Sequence, residues 1–186
     1  MTGTQNHEGV AGVTAAVEYL AAIDGGNGSS QNAQNRRFDT SPRSFPPNHI
    51  KSELNAARGR EGEGGARRER LRRTFSLIVE HERELGARLI AGLQQLQNLA
   101  IWGITDPARL QERVPTISVT HATLKPQDIA TKLAERGLWT WAGNHYALPL
   151  TETFGLEPHG TLRIGLVHYN TADEVDRLLA ALAEIV

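Results

Sequence analysis

A long polar stretch, from Asp24 to about Gly65, divides this chain of 186 residues into two unequal parts. Of its first 25 residues only Ala33, Phe38 and Phe45 are apolar, and small or polar residues and proline fill most of the rest. Such a segment cannot bury enough apolar surface to offset the entropy lost when it orders. We therefore predict that residues 24–65 are a disordered insertion in an older fold, because compact domains rarely contain structureless loops of this length.

Apolar residues at helical spacing predict one helix on each side of the insertion. The first runs from about Gly9 to Ile23, and its regularly spaced valines and alanines predict that it is buried or half-buried. The second runs from Arg67 to Gln97 and is amphipathic. Its apolar stripe consists of Leu71, Phe75, Ile78, Leu85, Leu89, Leu93 and Leu96.

The rest of the chain alternates between strand and helix patterns. Short runs rich in β-branched and aromatic residues predict four strands, at Leu99–Trp102, Thr116–Thr120, Leu138–Trp141 and Thr161–Leu166. Proline starts and glycine stops predict helices at Pro126–Arg136 and Pro149–Phe154, and Asp106-Pro107 is typical of another start. A capping box of Thr171 and Glu174 opens the last helix. We predict an α+β fold, with a mostly antiparallel sheet and helices on one face.

Composition excludes several classes of function. The chain has no cysteine, which excludes disulfides, zinc–thiolate sites and thiol nucleophiles within these 186 residues. Its 20 basic and 21 acidic residues give no global attraction to nucleic acid, and the arginine-rich run Arg58–Arg73 contains glutamates that favour a solvated helix start. No apolar run could span a bilayer, and the first eight residues do not resemble a signal peptide. The histidines show no metal-ligand spacing. We expect a cytoplasmic protein without a metal site.

Two stretches contain residues that could form a site. Arg163 lies inside an apolar strand, where its guanidinium must find an anion. This arginine either makes an internal ion pair or faces outward at an edge, or it grips a ligand carboxylate with two hydrogen bonds. The loop from Trp139 to Leu150 displays Asn144, His145 and Tyr146, and it is either a packed aromatic turn or part of a binding site.

These two stretches, together with Tyr169-Asn170-Thr171 at a helix start, resemble the C-terminal domain of the class V aminotransferase family. The resemblance is to the cysteine desulfurase-like subgroup of the fold-type I pyridoxal phosphate enzymes. It covers Gly3–Ile23 and about Arg67–Val186. It implies that residues 1–23 form a helix from the end of a missing large domain and that residues 66–186 form the C-terminal domain.

The resemblance also implies roles for individual residues. Arg163 falls where the family's arginine binds the α-carboxylate of the amino-acid substrate, and Asn144 and His145 fall on the loop beside that substrate. Gly3 and Thr4 fall on the glycine-threonine pair whose threonine reaches the cofactor phosphate of the neighbouring subunit. The implied cofactor is pyridoxal 5'-phosphate, and the implied assembly is a homodimer or a complex with a complementing large domain.

Departures from the family pattern limit what the chain can do alone. Tyr146 occupies the place of the desulfurases' sulfur-accepting cysteine, and Trp141 stands where they often have an arginine. The cofactor also needs a Schiff-base lysine, which in the family lies upstream of Gly3. The three lysines, Lys51, Lys125 and Lys132, have no suitable context.

Two hypotheses follow for the function. In the first, the chain is the C-terminal portion of a pyridoxal phosphate-dependent enzyme that acts on an amino acid, supplies Arg163 to the substrate and is inactive alone. In the second, it is an inert fragment that serves as a protein-interaction or structural module. The second hypothesis predicts exposed apolar surface on the first helix and on the helix that begins near Arg67.

Overall fold

The computed structural model describes residues 7–23 and 61–186. The helices are α1 (His7–Ile23), α2 (Glu61–Leu93), α3 (Pro126–Ala134), α4 (Leu148–Thr153) and α5 (Ala172–Ile185), with a 3-10 helix at Pro107–Glu112. The strands are β1 (Leu99–Trp102), β2 (Thr116–His121), β3 (Trp141–Gly143) and β4 (Thr161–Gly165). The chain divides into two compact units, Met1–Ile78 and Val79–Val186. Residues 24–60 of the predicted insertion lie outside the described residues.

In the first unit, α1 contacts the beginning of α2. The hydroxyl of Thr74, which is fully buried, donates a hydrogen bond of 2.9 Å to the backbone carbonyl of Leu20. Toward the other end of α1, Val10 and Val13 are 62% and 66% exposed. The prediction of a buried or half-buried helix is therefore wrong for this end, since no described residue covers its valines.

The long helix is displaced toward the amino terminus relative to its prediction. It begins at Glu61 rather than Arg67, so residues 61–65, which were predicted to belong to the insertion, are helical. The helix continues through Gly64 and Gly65, although each glycine costs about 1 kcal/mol relative to alanine in a helix interior. It ends at Leu93 instead of Gln97, and Asn98 follows in the left-handed conformation with φ 59°.

The second unit contains a four-stranded sheet in the order β1-β2-β4-β3, and every pairing is antiparallel. Its core lies on one face. There, Ile117 and Val119 of β2 and Leu162 and Ile164 of β4 are buried. Helices α2, α3 and α5 supply the apolar side chains that join them, including Leu89, Leu93, Ile129, Leu133, Val175, Leu178 and Leu182. The predicted α+β fold with helices on one face is confirmed.

The third strand begins later than predicted, because residues just after α3 complete a helix end. Gly137 adopts φ 71°, and the N–H of Leu138 donates to the carbonyl of Leu133 at 3.0 Å. This is the hydrogen-bond pattern of a glycine-terminated helix. Trp139 is 84% exposed, and pairing with β4 starts only at Trp141.

The predicted capping positions are confirmed. Asp106 accepts a hydrogen bond from the N–H of Ala108 at 2.9 Å, and Pro107 opens the 3-10 helix. Thr171 and Glu174 form a reciprocal capping box at the start of α5. Within residues 7–23 and 61–186, none of the helices is long and apolar enough to cross a membrane.

Candidate functional site

The predicted arginine lies on the face of the sheet opposite the core. On β4, Leu162 and Ile164 are buried in the core, whereas Arg163 between them is half-buried. Since successive residues of a strand point to opposite faces, Arg163 belongs to the face that α2, α3 and α5 do not cover.

Arg163 stands in a row of four side chains that crosses this second face. Its cross-strand partners are Ser118 on β2 and Trp141 on β3. Beyond Ser118, the row continues to Trp102 on β1. Directly opposed residues have Cβ atoms about 4.5–5.5 Å apart, so the arginine has a serine on one side and an indole on the other.

The guanidinium of Arg163 has no hydrogen bond or ion pair to any residue in the part of the chain that the structure describes. An internal ion pair, one of the alternatives left open by the sequence, is therefore absent among these residues. Arg163 does act electrostatically on His145. The arginine and the loop that follows β3 thus lie close together.

That loop is a tight turn with consecutive residues in the left-handed region. His145 has φ 54° and Tyr146 has φ 60°. The side-chain oxygen of Asn144 accepts from the N–H of Tyr146 at 3.2 Å, and its backbone carbonyl accepts from Ala147 at 2.8 Å. Asn144 therefore helps to build the turn, while Tyr146 is fully exposed.

His145 turns back from this loop toward β4. Its Nε2 lies 3.2 Å from the hydroxyl of Thr161, two residues before Arg163. Burial lowers the pKa of His145, the positive charge of Arg163 lowers it further, and a hydrogen bond to the backbone of Thr161 partly opposes both effects. The lowered pKa favours the neutral imidazole, and its Nδ1 atom is buried without a hydrogen-bond partner among the described residues.

Gly160 allows the loop to approach β4 closely. It has φ 65°, and a Cβ atom placed on it would lie 2.6 Å from the backbone nitrogen of Asn144 and closer still to the Gly143 carbonyl. Sequence inspection missed Gly160 and Thr161 as parts of this region. A glycine just before a strand was the available signal, but glycine has many uses and does not by itself indicate a close approach.

The structure thus brings Arg163, His145 and Trp141 to one region, with Asn144 in the adjoining turn. The other predicted site residues, Gly3 and Thr4, lie outside the described residues.

Comparison with known proteins places this arrangement in a family. The family model for Aminotransferase class-V matches residues 72–178, which is more than half of the chain. The chain belongs to the class V aminotransferase family. The match includes the whole sheet, Arg163, and the turn at Asn144 and His145.

The chain is also similar in sequence to individual members of the family. The chain is 33% identical over 114 residues to an aminotransferase-like protein of Gibberella zeae, covering 60% of this chain and 28% of that protein. It is 35% identical over 108 residues to a cysteine desulfurase of Cronobacter sakazakii, covering 58% and 25%.

A solved structure of a cysteine desulfurase from Thermococcus onnurineus superposes on 64% of this chain and 28% of its own, with a TM-score of 0.57 and 28% identity. The chain thus spans less than a third of the length of these relatives.

Proposed function

We propose that this chain is the C-terminal portion of a pyridoxal phosphate-dependent enzyme of the class V aminotransferase family, acting on an amino acid. Within it, Arg163 binds the α-carboxylate of the substrate. The observation that carries the proposal is this half-buried guanidinium, which has no anionic partner among the described residues and faces away from the core. A cation in that position favours a ligand that brings its own negative charge.

His145 supports the same assignment. Its pKa is lowered by burial and by Arg163, so at neutral pH it adds no second positive charge beside the arginine. A neutral imidazole does not compete with Arg163 for the substrate carboxylate. Arg163 would then fix the carboxylate, and His145 and the Asn144 turn would border the ligand on the side of the loop.

The described lysines do not fit the Schiff-base role that the cofactor needs. Lys125 and Lys132 are exposed at the start and in the last turn of α3. The buried side of that helix packs on the core face of the sheet, opposite the face of Arg163. When bound, the cofactor supplies the electron sink for carbanion chemistry, and a lysine from outside these 186 residues would form its Schiff base. We infer that the chain alone is inactive and acts with a complementing large domain or within a homodimer.

Titration of the purified chain with pyridoxal phosphate tests the inference about the lysines. We expect no visible Schiff-base absorbance that persists after dialysis. A persistent band would overturn the inference that the chain lacks a competent lysine.

Binding of acetate tests the role of Arg163. In ¹⁵N NMR spectra, acetate should shift the Arg163 side-chain signal. Followed instead by the indole N–H signal of its cross-strand neighbour Trp141, the Arg163→Gln variant should bind acetate at least about tenfold more weakly, because a hydrogen-bonded charged partner is lost. Arg109→Gln is the matched control, since Arg109 is exposed and already paired with Glu112 at 2.6 Å. Equal binding by both variants would refute the carboxylate role.

A second candidate function is a protein-interaction module without catalysis. It is favoured by large apolar side chains exposed along a single stretch: Trp139, Trp141, Tyr146, Leu148, Leu150 and Phe154. Exposed apolar surface is what a protein-interaction site requires. The acetate experiment separates the two candidates, because an interaction module has no need for a carboxylate site at Arg163.

A further inference from the structure

We propose that Trp141 selects the substrate, and that the carboxylate held by Arg163 belongs to a ligand with a flat apolar body, such as an aromatic amino acid. This inference rests on the proposed function, because it assumes that Arg163 binds a carboxylate. It concerns the part of the ligand next to the carboxylate.

Trp141 lies on strand β3, directly beside Arg163 on β4. It is the direct cross-strand partner of Arg163, so both side chains rise from the same face of the sheet. Strand β3 is at the edge of the sheet, and Ala142, which points to the other face, packs against the core. The tryptophan is therefore not needed to fill the core of this unit.

The two tryptophans of the row differ in their hydrogen bonding, ring packing and exposure. Trp102 donates its indole N–H to the hydroxyl of Thr120 at 3.0 Å, and its ring packs against Phe154 with centroids 5.3 Å apart. Trp141 is 63% exposed, and its indole N–H has no hydrogen-bond partner in the described part of the chain. Trp102 is thus held in the structure, whereas the indole of Trp141 is available to a ligand.

The charged groups near the Trp141 indole restrict the kind of ligand that the site would bind. Arg163 has no acidic partner among the described residues, and the neighbouring His145 has a pKa lowered by burial and by Arg163. One carboxylate therefore supplies the negative charge that the guanidinium of Arg163 lacks among the described residues. The surface next to the arginine is aromatic, and a flat apolar group gains most by covering it.

A short thiol substrate would make few contacts with the indole of Trp141. It would leave most of the indole exposed, and the chain has no cysteine to receive its sulfur. An aromatic pair contributes beyond simple burial, and this contribution corresponds to about 2-fold to 12-fold in affinity. We therefore expect the affinity of a carboxylic acid for this site to depend on the apolar group attached to its carboxylate.

Three probes test the inference on the purified chain: acetate, phenylacetate, and 2-phenylethanol, which has the ring but no carboxylate. Dissociation constants come from the shifts of the tryptophan indole N–H signals and the Arg163 side-chain signal in ¹⁵N NMR. We expect phenylacetate to bind about 2-fold to 12-fold more tightly than acetate, and 2-phenylethanol to bind more weakly than phenylacetate.

The variants locate the source of the preference. Trp141→Ala should bind both acids with nearly equal affinity, and Trp141→Phe should keep part of the preference, which guards against a general folding defect. Trp139→Ala is the matched control, because Trp139 is also exposed but has no partner on β4. It should behave like the native chain.

The possible outcomes separate this inference from the proposed function. If neither acid shifts the Arg163 signal, the carboxylate role itself fails. If both acids bind the native chain equally, or if the preference for phenylacetate survives in Trp141→Ala, the role of Trp141 is refuted while the carboxylate role stands.

Discussion

Replacing Gly160 with alanine should move the loop that carries His145. The new Cβ would lie 2.6 Å from the nitrogen of Asn144 and closer still to the Gly143 carbonyl, whereas ordinary contact begins at 3.4 Å, so the loop must retreat by more than about 0.8 Å. The neighbouring hydrogen bond between His145 and Thr161 is already 3.2 Å long, and a retreat of that size would break it.

Gly155→Ala is a matched control for this substitution. Gly155 has φ 66°, close to the 65° of Gly160, but a Cβ on Gly155 would meet nothing within 4 Å. Both variants should lose about 1–2 kcal/mol of unfolding free energy, because alanine is unfavourable in the left-handed region. Gly160→Ala should lose about 1–3 kcal/mol more through overpacking.

Urea unfolding followed by circular dichroism gives the free energies, and an NMR titration gives the pKa of His145. As the loop moves outward, the pKa of His145 should rise toward its ordinary value in Gly160→Ala and stay low in Gly155→Ala. Equal destabilisation of the two variants, together with an unchanged pKa of His145, would refute the idea that Gly160 positions the loop.

Three further predictions concern charge, core and cap. Because the pKa of His145 lies below its ordinary value of 6.5, the unfolded chain takes up this proton first, and stability should fall as the pH drops from about 6.5 through the folded-state pKa. Arg163→Gln should raise the pKa of His145 in an NMR titration, and it should reduce the loss of stability at low pH. Leu89→Ala, at a fully buried position, should lower the unfolding free energy by about 2–5 kcal/mol in urea. Thr171→Ala should cost about 1 kcal/mol in the same assay, and Thr171→Ser should restore most of it.

The local elements were the most predictable part of this protein. The Asp106 cap and the Thr171 capping box depend on residues close together in the chain, and both were found where the pattern indicated. The apolar stripe of α2 was only partly correct, because Leu85, Leu89 and Leu93 are buried but Phe75 is 52% exposed. Element ends were less predictable. The N–H of Leu138 completes the end of α3 instead of joining a strand, and periodicity cannot distinguish these two uses of a backbone donor.

The sequence by itself determined the residue types of the site and their elements: an arginine within a strand, a polar turn, and the absence of cysteine. Only the tertiary structure decided which of them meet. Strand register places Trp141 beside Arg163, although 22 positions separate them in the chain, and a close backbone approach at Gly160 brings the loop to β4. Both depend on contacts between residues distant in sequence, whose geometry is set by packing of the whole sheet rather than by local preference.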